Sequence, residues 1–553
     1  MSAAKRLGTL GCVGLLATTA ACGSTSSSGI AGVPKTTLNM GTVSAYSSLD
    51  PAGAYDAGSW MVFYNVYQGL LTYLPGATTP TPDAAQKCGF VGTDLLTYRC
   101  TLRSGLTFSN GDPLDAAAVK FSMDRVIKIG GETLPNKEAA DNGSGVSGLL
   151  NTLKSVDTSG TTDVTFHLKT ADATFPDRIA SGVGEIVDPK AYSATRVLPG
   201  VSGKVVGSGV YKIDSVQTKK DSTGAVVPTS VKLSLNPSYK GAYSATKPTN
   251  SGVTLDYFDA PADVRAALDK GTIDLNVNSD LTSKDVTDLE GAQQLGKGLQ
   301  VIEGTGANTR MMVLNTKIAP FDNVAVREAI AKLIDRDAIA KTYQNTVTPL
   351  YSVIPQGIGD QTTPFEESPY DVKPLSAAVV KDSLTGVSLP ISFTLTYAGN
   401  SVGGPAEAAQ IKKTLEASGL FKVKLTSVAN LGKMIPLWAG QKLPASLTGW
   451  QPDYPDPDDF VSPFVGLNNT FGNGYAPSNI INKLTPLSLK QADRADDNTA
   501  NTFEKIQKQF AVDASYIPLW QNKQYIVTQS NVTGVPLTLD LASIMRFWMI
   551  GKN

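Results

Sequence analysis

The sequence predicts an α/β protein of two or three lobes with a β-rich portion toward its N-terminal side. Three observations carry that expectation. About 530 residues follow a short leader, more than one core accommodates at ~100 to 200 residues per domain. Between 391 and 449 the chain reads strand, helix, strand, helix, strand, and such long crossovers make the strands parallel. Between 98 and 126, short strand-type runs are separated by Ser104-Gly105 and Asn110-Gly111 ahead of a helix.

The leader comes first in chain order. Lys5 and Arg6 precede an apolar run from Leu7 to Ala17, far shorter than the ~20 residues a membrane span needs. Small residues then end in Thr19-Ala20-Ala21-Cys22, which resembles a bacterial lipobox with Thr19 where leucine is usual. A lipoprotein signal over 1–21 is expected, with Cys22 as the acylated residue and 22–35 as a flexible tether. Without Lys5 and Arg6, 46 basic side chains face 49 acidic ones, a formal charge of −3. That balance excludes an electrostatic nucleic-acid binder, and no basic block addresses lipid headgroups.

Thr37 to Thr42 reads as extended, followed by Ser48-Leu49-Asp50-Pro51 and an apolar run from Trp60 to Leu74. Cys12 belongs to the leader and Cys22 to the lipid site, so Cys88 and Cys100 remain, in an exported and oxidising setting where a disulfide is expected. Two thiols and a single histidine, His167, make a zinc site a poor rival. Tyr98 to Arg103 is a strand-type run, Leu106 to Phe108 a second, and Asp115 then caps a helix with Val119, Met123, Val126 and Ile127 at helical spacing. Pro261 to Asp269 reads as a helix stopped by Gly271, and Ile273 to Val277 as a strand. Asp322 or Asn323 caps a helix with Val326, Ile330, Leu333 and Ile334 on one face.

From 391 the pattern sharpens. Ile391, Phe393, Leu395 and Tyr397 alternate as a strand. Pro405 starts a helix with Ala408, Ile411 and Leu415 inward and Gly419 as its stop. Phe421 to Leu425 is the next strand, a helix over about 431–440 follows, and Ala445 to Gly449 is the third strand. The segment Gly449-Trp450-Gln451-Pro452-Asp453-Tyr454-Pro455-Asp456-Pro457-Asp458-Asp459-Phe460 therefore leaves that strand at its carboxyl end, where ligands sit in open α/β sheets. Its prolines stiffen it, and Trp450 and Tyr454 flank the carboxylate of Asp453. Asp456, Asp458 and Asp459 read as a solvated turn and helix start that hold Trp450 and Asp453 in place. Phe503, Ile506 and Phe510 form one more stripe, and Ile517 to Trp520 with Tyr525 to Val527 read as chain returning toward the first lobe.

The run YRCTLRSGLTFSNGDPLDAAAVKFSMDRV, residues 98 to 126, resembles the signature region of the bacterial extracellular solute-binding proteins of the peptide and nickel class. Ser48 to Pro51, Gly207-Ser208-Gly209-Val210-Tyr211, Asn236-Pro237-Ser238-Tyr239, Leu314-Asn315-Thr316 and Pro320 to Ile330 resemble further motifs of that family, in its order. The resemblance spans roughly 38 to 540. It implies a two-lobed periplasmic-binding-protein-like type II fold with an extra β-rich subdomain. The first lobe would then take 36–75, 200–300 and the return segment 521–553, the extra subdomain 76–199, and the second lobe 301–520.

Chemistry in the sequence favours binding over catalysis. No G-x-S-x-G elbow, H-E-x-x-H helix or P-loop occurs, and His167 lies in an alternating, strand-like run. The resemblance implies a receptor without a cofactor or metal, a monomer, that closes on a short peptide and delivers it to the membrane permease of an ABC importer. It places the ligand's α-ammonium on Asp453, with Trp450, Gln451 and Tyr454 alongside and Tyr46 as a wall from the other lobe. A non-peptide solute such as a metal chelate, haem or an oligosaccharide, and a sensing role, are the alternatives it leaves.

Overall fold

Two long antiparallel strands, Gln300–Leu314 and Tyr516–Thr528, form the spine of an eleven-stranded sheet. The computed structural model describes residues 35–133, 146–198 and 204–553, apart from 223, 279, 297, 493, 495 and 496. The leader, Cys12, Cys22 and all of the tether but Lys35 lie outside the described residues. Among those described, no helix is long and apolar enough to cross a membrane.

On one side of the spine, Ala445–Trp450 pairs antiparallel with Thr309–Leu314 and parallel with Ile391–Ala398, and Phe421–Val428 completes that edge. The βαβ reading is borne out residue by residue: Ile391 stands opposite Phe421 in parallel register. The crossover helix Gly404–Ala417 buries Ala408, Ile411 and Leu415 completely. On the other side, Leu275–Asn276, Thr37–Thr42 and Gly252–Tyr257 continue the sheet, followed by Val226–Leu235 and Tyr211–Lys220. The spine strands slip register between Thr305 and Thr309, the stretch that joins the two sides.

Local chemistry explains the element ends. Asp115 Oδ1 accepts from Ala118 N–H at 3.0 Å and starts the helix Ala116–Thr133. Asn323, rather than Asp322, caps Val324–Leu333. Gly271, at φ +69°, ends Pro261–Lys270 in the left-handed conformation that glycine tolerates.

A separate four-stranded sheet of Ala85–Phe90, Thr97–Leu102, Asp163–Leu168 and Leu153–Ser159 packs into the same interior as Leu38, Met40, Phe63 and Trp548. Cys88 and Cys100 stand opposite each other in its first two strands and are joined by a disulfide. The second lobe has two apolar clusters, one around Phe321, Ile330 and Leu395, the other around Trp438, Trp450 and Phe464.

Three local expectations are corrected. Leu106–Phe108 is not a strand: one bridge, Thr107 to Pro113, closes a loop whose Gly111 sits at φ +89°. Ile127 is 36 % exposed, because the inward face of its helix runs through Val119, Met123, Val126 and Ile129. Ile273–Val277 shortens to Leu275–Asn276.

Candidate functional site

Trp450 is the last residue of its strand, and the prolines that follow turn the chain sharply toward the first lobe. Its indole lies edge-on to Phe464 at 5.5 Å and Phe471 at 6.1 Å, inside the second lobe. Tyr454, four residues on, packs instead into the first lobe's interior. The turn is thus anchored in both lobes, with Asp453 between the anchors.

The acidic residues after Asp453 are not solvated, contrary to expectation. Asp456 is 5 % exposed, Asp458 0 % and Asp459 1 %. Asp459 Oδ2 accepts from Trp450 Nε1–H at 3.0 Å and from the Asp453 backbone N–H at 2.9 Å, which fixes the turn. Asp458 accepts from Arg178 Nη2 at 3.1 Å, from the Tyr454 hydroxyl at 3.2 Å and from Ser462 at 2.6 Å. Arg178 also reaches Asp172 at 3.3 Å and lies over the Tyr454 ring at 5.4 Å. Asp456 takes a bidentate pair of bonds from Arg494, at 2.7 and 2.9 Å. Burial forces this pairing, since an unpaired carboxylate away from water is costly.

The Tyr55 hydroxyl donates to Asp453 Oδ2 at 2.6 Å across 398 residues of sequence. Arg178–Asp458 and the Ala173 N–H to Leu489 carbonyl bond, 2.8 Å, cross the same seam. Burial pushes the Asp453 carboxyl up to about 7, against the opposing pulls of Tyr55 and Arg178. Asp177, which accepts from Tyr73 at 2.9 Å, is pushed up to about 8 by burial and then by Asp456.

Trp450, Asp453 and Tyr454 are therefore brought together in one turn, while Gln451 is exposed on its rim. Tyr46 is buried against Tyr257, ring centroids 5.5 Å apart, and its hydroxyl has no hydrogen-bond partner among the described residues. Sequence reasoning missed Tyr55, Arg178 and Arg494. The fixed spacing of a motif cannot report partners that meet it only in the folded chain. Among the described residues, no three His, Cys, Asp or Glu side chains are placed to hold a metal ion.

Comparison with known proteins agrees with this architecture. The profile described as "Bacterial extracellular solute-binding proteins, family 5 Middle" matches residues 79–472. The "Probable D,D-dipeptide-binding periplasmic protein DdpA" of Escherichia coli is 26 % identical over 546 residues, covering 94 % of this chain and 95 % of that protein. The periplasmic binding protein DppA from Helicobacter pylori, solved with the peptide STSA, superposes with a TM-score of 0.75 at 20 % identity, over 93 % of this chain and 98 % of the other. OppA of Haemophilus influenzae, solved with RPPGFSPFR, gives a TM-score of 0.73 at 19 % identity, over 94 % and 99 %.

Proposed function

The chain belongs to the bacterial extracellular solute-binding proteins of family 5, and from that premise we propose that it captures short peptides between its lobes and passes them to an ABC permease. The observation that carries this reading is Asp453: a carboxylate at the seam between lobes, met by a neutral phenol and poised for a cationic group. An ammonium stripped of water needs such a partner. Trp450, Gln451 and Tyr454 would flank the peptide's first residues, with Tyr46 on the first lobe. The names of the relatives above, which bind di- and oligopeptides, support the ligand class. We assign 36–75, 200–300 and 521–553 to the first lobe, 76–199 to the extra subdomain and 301–520 to the second lobe. Cys22 carries the lipid that holds a monomeric receptor at the outer face of the cell membrane; mass spectrometry of the mature N-terminus checks it.

Calorimetry with a dipeptide panel tests the function. Asp453→Asn removes one partner of a buried charge pair and should weaken binding by ~2 to 5 kcal/mol, roughly 30-fold to several thousandfold. Wild-type affinity in that variant overturns the assignment.

A further inference from the structure

A small cavity lies within the interior that the four-stranded sheet shares with Phe63 and Trp548. Gly69 and Glu185 pair beside it in an antiparallel bridge, and Asp83, Tyr67, Tyr239, Tyr243 and Trp548 complete its wall. The centre of a water-sized sphere has about 20 Å³ to move in, room for a small ion with one water beside it. Glu185 is 4 % exposed, and its Oε2, sealed from solvent, has no hydrogen-bond partner among the described residues. The charge that bears on it is a second acid, Asp83. Two guanidinium groups act on other residues of the wall, and both are committed. Arg103 donates to the carbonyls of Pro82 and Asp83, and Arg546 to Asp540, the Tyr243 hydroxyl and the carbonyls of Tyr73 and Ile544. Three of the wall's four phenols have placed their protons elsewhere. Tyr67 donates to the Leu49 carbonyl at 2.6 Å, Tyr239 to Asp83 Oδ1 at 2.7 Å and Tyr243 to the Tyr73 carbonyl at 2.5 Å, so what these oxygens can still offer is a lone pair. Trp548, 2 % exposed, contributes a donor, Nε1–H, that also has no partner among the described residues.

We propose that this cavity is a site for one alkali-metal cation, held by the Glu185 carboxylate among phenol oxygens, with a water between the ion and Trp548 Nε1–H. Hard cations take oxygen ligands, and an ion here supplies the counter-charge that a carboxylate away from water requires. Two carboxylates are too few for a tight divalent site, and among the described residues no third His, Cys, Asp or Glu joins them. The ion ties Glu185 to Tyr239 of the Asn236–Tyr239 motif and to Trp548 near the C-terminus, so its effect is on the stability of this part of the fold. It is independent of what the cleft between the lobes binds. Burial, and then Asp83, pushes the Glu185 carboxyl up, so a proton competes with the ion and the site fills best in mild alkali.

The ligand-free protein is melted at about pH 8 in potassium, sodium and tetramethylammonium chloride, each at about 0.2 M, the last cation being too large for the cavity. Tm should be higher by roughly 1 to 3 °C in at least one of the two alkali salts. Glu185→Gln keeps the shape of the side chain and removes its charge, and there the difference should vanish. Equal Tm in the three salts, or the same salt difference in Glu185→Gln, overturns the proposal and leaves a protonated Glu185 with water. Where the variant does not fold, a crystal structure of the wild type grown in the more stabilising alkali salt decides. An ion with oxygen ligands at Glu185 is expected, and water alone in the cavity overturns the assignment.

Discussion

At the residue scale, Asp453 is set apart by the kind of partner it has. Its neighbours Asp456 and Asp458 are neutralised by guanidinium groups, whereas Asp453 accepts a phenol. Tyr55→Phe keeps the ring against Trp60, 5.7 Å away, and deletes that bond. A hydrogen bond to a charged group contributes about 1.5 to 3 kcal/mol, so dipeptide affinity should fall ~10- to 150-fold by calorimetry. An unchanged Kd would remove Tyr55 from the site. The buried acids also set a pH dependence. Asp280 is pushed up to about 6, Asp453 to about 7 and Asp177 to about 8, in each case first by burial. Unfolded, these groups titrate near ~3.9, so the folded protein binds their protons more tightly. Their contribution is fully present below about pH 4 and is lost as pH rises through about 6 to 8. The ligand-free protein should therefore melt at a lower temperature at about pH 8 than at about pH 5. A Tm that is flat or rises over that interval would contradict it.

At the scale of elements, what was legible was local. Alternation, helical stripes and stop glycines located Ile391–Ala398, Gly404–Ala417 and Phe421–Val428 because each pattern repeats within one element. Leu106–Phe108 carried strand-type residues but no partner strand, and pairing rather than propensity makes a strand. The burial of Asp456, Asp458 and Asp459 was illegible for the same reason: Arg178 lies 280 residues from Asp458 and Arg494 lies 38 from Asp456. Motifs interlock in the same way. Asp50 of Ser48–Pro51 takes a bidentate pair from Arg125, both bonds 2.6 Å, and Asn236 Nδ2 donates to the Gly209 carbonyl at 2.9 Å. The glycines of Gly207-x-Gly209 are required by close approach, since a Cβ at either would run into backbone at the end of the helix Ala57–Val66. The disulfide was legible by elimination among four cysteines. Replacing Cys88 and Cys100 by serine should cost the four-stranded sheet about 3 kcal/mol, from the entropy of a loop closed over 12 residues. Hydrogen exchange confined to Ala85–Leu102 and its partner strands measures it, and unaltered protection would mean that packing alone sets that sheet's stability.

At the scale of the whole molecule, two lobes share one sheet through two strands, and their far sides meet through Tyr454, packed into the first lobe's interior, and through a few polar links. Tyr55–Asp453, Arg178–Asp458 and Ala173–Leu489 are among the bonds that opening must break. Arg178 is the central one, because it neutralises Asp172 of one side and Asp458 of the other and covers the Tyr454 ring. Closure buries that guanidinium with its two carboxylates, and removing it leaves both acids uncompensated, a change that typically costs ~3 to 5 kcal/mol. Opening relieves the cost by returning Asp458 to water, so the penalty falls on the closed state rather than on the fold of either lobe. Arg178→Ala should therefore shift the ligand-free population toward open forms, seen as a larger radius of gyration in solution scattering with little change in secondary structure. Apparent affinity scales with the closed fraction, so a tenfold loss of closed protein weakens dipeptide binding about tenfold. Saturating peptide should contract the variant to the wild-type radius. A variant that is wild-type in radius without ligand, yet weak in binding, would place Arg178 in ligand contact and out of the latch.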